Sequence, residues 1–366
     1  MSVFEPIAVA GSGKYGNIGL FSSESFKNIN MSRSFKETLE NAANHSLSKK
    51  TWSSYKTVAK MLNLCGEQTN SNMTLPLSEN MTLTFIAWLI ERELKASTIN
   101  SYLSGLRMLH ITAGTPLTTI RSDLTKQILE GKVHIDSIKA RMENKTVRLP
   151  VTPSILKLIK LEIKESSLTK ETKRLIWAVC TIAFSGGFRI GELLSKVETK
   201  FDPLFTLLGQ DVKIKSFMIK GVKIETIQIK IKSQKTDRIG VDCLVDVYES
   251  SGQICPVKAY KNWKKTTTLE SDCKPAFRLE TGKPLTSTKF NKYLKMLLND
   301  HIDYQRGKIT SHSFRAGIAT LLGTLGYTDE EIKAVGRWSS RAFEDYLKLP
   351  RTKRLAMAKN IGNLGL

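Results

Sequence analysis

The sequence predicts two domains, an all-α one followed by an α+β one with a small antiparallel sheet. Three observations lead there. A chain of 366 residues exceeds the size at which a single hydrophobic core stops growing, roughly 250–300 residues. Apolar residues recur at helical spacing, without strand signals, from about 34 to 138. Period-two alternation is confined to a patch at 211–248, with helical patterns on both sides. With 41% hydrophobic and 25% charged residues the chain can fill two cores, which excludes collagen, mucin and wholesale disorder.

Residues 1–33, rich in Gly, Ser and Asn and without periodicity, are expected to form a flexible arm. Gly11-Ser12-Gly13-Lys14-Tyr15-Gly16 matches G-x-G-x-x-G there, but no helix follows and no parallel strands return, so a dinucleotide site is not expected. The helical domain, 34–139, is expected in four or five pieces broken near Gly66, Pro76, Gly114-Thr115-Pro116 and Gly131. Ser48 can cap a helix that begins at Lys49 and turns Trp52, Tyr55, Val58, Ala59 and Leu62 to one face. A second helix places Ile99, Leu103, Leu106 and Leu109 inward and Asn100, Ser101, Ser104 and Arg107 outward. Hydroxyls beside an Arg suit phosphate contact, and an ordinary solvated face has the same composition.

Residues 140–152, with Lys145 and Arg148, read as a basic linker that ends where Thr152-Pro153 starts a helix. The second domain, 153–349, opens with helices near 153–165 and 170–184. In its strand patch Ile227, Ile229 and Ile231 alternate with Gln228, Lys230 and Lys232, and a turn at 233–240 leads into a partner strand. The hairpin tip carries Lys235 and Arg238. The tail, 350–366, can form a helix with Leu355, Met357, Ala358 and Ile361 that docks on a neighbouring protomer or covers its own domain.

The charge balance points to a partner. Lys plus Arg number 56 against 34 Asp plus Glu, a net +22, which suits a polyanion: nucleic acid first, an anionic membrane surface second. The longest unbroken apolar stretch, six residues from Phe85 to Ile90, falls far short of the roughly 20 needed to span a bilayer. No signal-like segment opens the sequence and no lipidation box closes it, so an intracellular, DNA-associated protein is expected, nuclear in a eukaryotic host and cytoplasmic otherwise. Cys65, Cys180, Cys243, Cys255 and Cys273 are scattered, and the five histidines form no H-E-x-x-H or H-x₃₋₅-H pair. Neither disulfides, nor a metal, nor a cofactor is expected.

Four clusters stand out in the second domain. In Ser185-Gly186-Gly187-Phe188-Arg189-Ile190-Gly191-Glu192 a glycine pair stops one helix, and Arg189 is expected in the first turn of the next. There it meets either an external phosphate or Glu192, three residues on. Thr310-Ser311-His312-Ser313-Phe314-Arg315 begins another helix and sets His312 and Arg315 on one face. Gly336-Arg337-Trp338-Ser339-Ser340 comes third, and Tyr346, eight residues after Trp338, is the fourth.

In this order the clusters resemble the tyrosine recombinase, or phage integrase, family. Its signature is an Arg in G-x-R-x-x-E, a hairpin Lys, an H-x-x-R pair, a His or Trp after glycine, and a nucleophilic Tyr near the C-terminus. The resemblance covers about 149–348 by motif, and the helical region before it looks like the family's core-binding domain. The Lys-Thr-Asp turn and the Gly-Arg-Trp-Ser-Ser string look most like the Crypton branch of eukaryotic mobile elements. The resemblance implies a clamp around double-stranded DNA, cleavage through a covalent 3′-phosphotyrosine without metal or ATP, and a homo-oligomer with two protomers per site and four in the synapse. Arg189, Lys235, His312, Arg315, Trp338 and Tyr346 are then catalytic and Glu192 supports Arg189. Lys49, Ser101, Ser104, Arg107, Lys145, Arg148, Lys232 and Arg238 are candidate DNA contacts.

The chemistry fits these residues. A phenol with pKa near 10 is only about 0.1% ionised at neutral pH, so Tyr346 needs help to attack phosphorus. Two arginines can bind the non-bridging oxygens and stabilise the transition state. His312 serves as base or donor, Trp338 can only donate, and Lys235 or its rival Lys232 protonates the leaving 5′ oxygen. The chain departs from the family in three places: Gly191 stands where many relatives have Ser, Trp338 replaces the commoner His, and the gap to Tyr346 is one residue short. Tyr304 and Tyr327 are rival nucleophiles on the wrong side of Trp338. A type IB topoisomerase and a domesticated DNA-binding protein without catalysis are the rival functions.

Overall fold

The computed structural model describes residues 20–338 except 27, 116–119, 144–146, 200, 220, 233–242, 267–271, 300 and 302–306, with backbone only at 23, 24, 49, 147, 148, 219, 307 and 308. It divides into two compact units, Met1–Lys145 and Thr146–Leu366.

The first unit is helical: α1 Arg33–Asn44, α2 Lys49–Thr69, α3 Glu79–Glu91, α4 Ala96–Thr112 and α5 Asp123–Met142. Ser32, Ser48, Ser78 and Ser122 each accept a hydrogen bond from a backbone amide three residues on, satisfying a donor that the first helical turn leaves open. Trp52, Val58, Ala59 and Leu62 of α2 meet Ile99, Leu103, Leu106 and Leu109 of α4 in one buried cluster. Gly105 permits the close approach, since a Cβ there would lie 2.6 Å from Val58 Cγ2.

Three expectations need correction. The breaks at Gly66 and Gly131 do not occur. α2 passes through Gly66 and ends at Asn70 in the left-handed region, while Gly131 sits inside α5 with nothing within 4 Å of its missing side chain. A lone helical glycine costs about 1 kcal/mol, which the packing of a 20-residue helix absorbs. Nor is the arm loose to its end. Leu20 and Phe21 are buried, Asn44 bonds the Phe21 amide at 2.9 Å and its carbonyl at 3.0 Å, and the Trp52 ring meets the Phe21 ring edge-on. Finally, α5 runs to Met142, and Val147–Arg148 forms a short strand, so the stretch expected as an extended linker is partly ordered.

His110 closes α4. Its Nε2 accepts from the buried Leu77 amide at 3.0 Å and its Nδ1–H donates to the Leu106 carbonyl at 2.9 Å, so the ring is held neutral. Burial pushes its pKa below the ordinary value of 6.5. As pH falls below about 6.5 the unfolded chain takes up a proton that the folded one refuses, so stability drops with falling pH. An NMR titration should place the His110 midpoint below that of a free imidazole, with a parallel fall in thermal midpoint; an ordinary midpoint would refute this.

The second unit packs around α7 Lys170–Ser185, which is buried along most of its length. α6 Pro153–Glu165, capped by Thr152 as expected, lies against it. One-turn α8 Ile190–Leu193 follows, then a three-stranded antiparallel sheet of β2 Val212–Ile219, β3 Val222–Ile231 and β4 Cys243–Tyr248 in the order β2-β3-β4. Ile227, Ile229 and Ile231 point into the core, and Thr226 to Ile231 pair antiparallel with Tyr248 to Cys243, the two strands expected to form the hairpin. α9 Pro256–Lys264, α10 Ser287–Leu298, α11 Ser313–Leu325 and α12 Asp329–Gly336 follow among the described residues. Strand β1 Val147–Arg148 pairs in parallel with β5 Gly307–Lys308, and the Val151 amide donates to the Ser313 carbonyl at 2.8 Å, seating the start of α11.

Candidate active site

Three chain segments of the second unit meet at one carboxylate. The first is the turn after α7. Ser185 ends that helix, Gly186 caps it, and Gly187 takes φ +57°, a left-handed conformation that glycine adopts without strain. Phe188 fills the core. Arg189 is extended, so it stands at the cap of α8 and not inside its first turn as expected. Glu192 folds back: Oε2 accepts from the Arg189 amide and Oε1 from Arg189 Nη1, both at 2.9 Å. The expected ion pair is therefore present, and the helix-start amide is taken by the protein's own carboxylate. Nε and Nη2 of Arg189 have no protein partner among the described residues, and the side chain is 23% exposed.

The second segment is the start of α11. Thr310 N–H donates to Ser313 Oγ and Ser311 N–H to Asn291 Oδ1, both at 2.9 Å, which fixes the turn ahead of the helix. His312 caps it and is exposed, whereas Arg315 is buried. One helical turn thus sends the two side chains of the expected pair into different environments. Arg315 Nη1 donates to the Gly187 carbonyl at 3.1 Å, 128 residues away, and lies 4.0 Å from Glu192 Oε1.

The third is the end of α12. Arg337 takes the left-handed conformation, and its guanidinium donates to the Gly186 carbonyl at 2.8 Å and to Glu192 Oε2 at 3.1 Å. Trp338 lays its ring on the Arg315 guanidinium, 4.5 Å to the centroid, in the space that a Gly336 side chain would take. Among the described residues three guanidinium groups thus converge on one carboxylate, a sum of 3 − 1 = +2. An oxyanion in this place would be held by electrostatic attraction and by the free edge of Arg189.

Lys232 is elsewhere engaged. Its ammonium pairs with buried Asp211 at 2.9 Å and donates to the Pro203 carbonyl at 3.1 Å. On α4, Ser101 and Arg107 are exposed and Ser104 half-buried, but both hydroxyls donate back to the carbonyls of Ser97 and Asn100 at 3.0 Å. They must turn outward to donate to a phosphate; Arg107 need not. Lys235, Arg238, Lys145 and Tyr346 lie outside the described residues, as do the side chains of Lys49 and Arg148 and the G-x-G-x-x-G string. Of the rival tyrosines, Tyr327 is exposed beyond the end of α11 and Tyr304 lies outside the described residues.

Sequence reasoning missed Arg337 and Asp211. Arg337 stands inside a recognised string, yet nothing local distinguishes an inward guanidinium from a solvated one.

Among solved structures, the chain is similar to XerH site-specific recombinase, bound to palindromic difH substrate in a post-cleavage complex. Identity is 14% and the TM-score 0.56, over 93% of this chain and 88% of that one. It is similar to the Tn1549 transposon integrase in complex with transposon right end DNA, at 15% identity and a TM-score of 0.55 over 86% and 94%. A lambda integrase dimer bound to a COC′ core site gives 14% and 0.52 over 85% and 75%. No protein-family model matches the chain, and no curated protein sequence does.

Proposed function

We propose that this chain, which has the fold of the tyrosine recombinases, cuts and rejoins duplex DNA through a covalent 3′-phosphotyrosine. The observation that carries the reading is the gathering of Arg189 and Arg315 at Glu192 from distant segments, with an unpaired edge on Arg189 and a surplus of positive charge. In this reading the phosphodiester is the missing anion. Arg189 binds a non-bridging oxygen through Nε and Nη2, and Arg315 reaches the other when Trp338 and the phosphate rearrange around it.

Tyr346 attacks phosphorus in line, and its phenolic proton passes to His312, whose exposure suits exchange with the substrate. The P–O5′ bond breaks, the 5′ oxygen takes a proton from a lysine, and the Tyr Oη–P bond conserves the phosphodiester energy for resealing by a 5′ hydroxyl. The engagement of Lys232 with Asp211 favours Lys235 as that acid, because a proton donor tied into a buried ion pair is poorly placed to give up its charge. Exchange between duplexes requires two protomers per site and four in the synapse. Ser101, Ser104 and Arg107, with Lys49, Lys145, Arg148 and Arg238, supply further phosphate contacts. The Lys-Thr-Asp turn and the Gly-Arg-Trp-Ser-Ser string support a Crypton-like branch.

The target sequence need not be identified to test this. The full chain is incubated with a pool of random-sequence duplexes in EDTA, and protein-linked DNA is recovered after SDS treatment. A recombinase yields a linked fraction enriched for particular sequences; Tyr346→Phe abolishes it while DNA binding persists and weakens steeply with salt. Linkage that survives in the Phe variant would sink the assignment.

A further inference from the structure

We propose that Arg337 is a positioning residue of the cleavage site, locking the segment that carries Trp338 onto the turn that carries Arg189. The proposal rests on the recombinase reading. Residues other than glycine seldom adopt the left-handed region, and Arg337 holds that conformation at φ 54°. Nη1 donates to Gly186 O at 2.8 Å, and Nη2 donates to Glu192 Oε2 at 3.1 Å and to Gly187 O at 3.4 Å. Its guanidinium lies 4.7 Å over the Phe188 ring, and its own carbonyl accepts from Arg315 Nη2 at 3.4 Å.

One residue therefore touches the Gly186-Gly187 turn, the shared carboxylate and the second arginine, and is bonded in the chain to Trp338. The two segments also meet backbone to backbone, since a Cβ on Gly187 would lie 3.3 Å from Gly336 Cα. Arg337 is not itself a phosphate ligand. Both Nη groups are spent on protein acceptors and its Nε is buried without an acceptor among the described residues, whereas Arg189 keeps an edge open. Its part is to hold Glu192 between two guanidinium groups, so that seating Trp338 and aiming Arg189 and Arg315 are a single event. Arg337 reaches Gly186 O through one terminal nitrogen and Glu192 Oε2 and Gly187 O through the other, and a lysine, with its single nitrogen on a differently shaped stem, cannot fill both nitrogen positions.

The experiment uses the full chain and the duplex that wild type selects from the random pool. Arg337→Ala should slow adduct formation at saturating duplex by about 100-fold while the half-saturating concentration stays within about twofold. Millimolar guanidinium should restore part of the rate saturably, by filling the vacated place beside Glu192, and should not do so in Arg337→Ala/Glu192→Gln. Arg337→Lys should remain at least about tenfold slow. A rate for Arg337→Ala within about threefold of wild type, or a loss that guanidinium does not touch, overturns the proposal. Where Arg337→Ala gives no cooperative melting transition, Arg337→Lys decides: equality with wild type overturns it. A wild type without Tyr346-dependent adduct defeats the recombinase reading itself; a Tyr346-dependent adduct unaffected by Arg337 defeats only this proposal.

Discussion

Replacing Glu192 by alanine is expected to destabilise the second unit by about 3–5 kcal/mol, the range for removing one partner of a buried ion pair. The carboxylate is 4% exposed, so solvent screens little of the loss. Its removal leaves three guanidinium groups facing one another, two of them nearly buried, and frees the Arg189 amide that it caps. Glu192→Gln keeps an acceptor for that amide and should lose less, so its loss relative to wild type measures the charge, and the further loss in the alanine variant measures the acceptor and the packing. Urea unfolding monitored by tryptophan fluorescence is the check. An alanine variant within about 1 kcal/mol of wild type would mean that the arginines are neutralised by something other than Glu192.

Gly317→Ala is expected to cost about 3 kcal/mol or more, at or beyond the upper end of overpacking penalties. A Cβ there would stand 1.9 Å from the Val151 carbonyl oxygen and 2.8 Å from its carbon. These are backbone atoms, held by the Val151–Ser313 hydrogen bond and by a side chain with no exposed surface, so they cannot swing aside. The helix must move instead, and Arg315 and His312 move with it. Denaturant midpoints measure the loss of stability, and DNA-adduct formation should fall further than stability alone predicts. A variant with an unchanged midpoint would show that α11 does not press on Val151 in solution. By contrast, Gly191, where many recombinases carry Ser, has nothing within 4 Å of its missing side chain, so the site geometry does not demand glycine there.

What could be read from the sequence was local. Helices α2 and α6 announce themselves by a capping Ser or Thr, and α4 by its 3.6-residue spacing; the β3–β4 pairing follows from three isoleucines at alternate positions. The motif order located Arg189, Glu192, Arg315 and Trp338, all of which gather at the site. The glycines misled, because Gly66 lies within α2 close to the Ser71 carbonyl, Gly105 makes a close helix contact and Gly131 has open space around it, and only neighbours distinguish the three. Lys232 looked like a free strand-end base, and its commitment to Asp211 depends on a residue 21 positions earlier whose carboxylate also caps Leu208.

By itself the sequence determined the element types, the two-unit division in outline, the basic character of the chain and the order of its polar motifs, since each depends on side chains close in the chain. Only the tertiary structure decided which arginine keeps an open edge and which is spent on the protein. Arg189, Arg315 and Arg337 carry the same guanidinium, and the difference between an open edge, a stacked plane and a spent fork arises from carbonyls and a carboxylate up to 151 residues away. Hydrogen-bond direction and burial, which separate these roles, exist only once distant segments share one place.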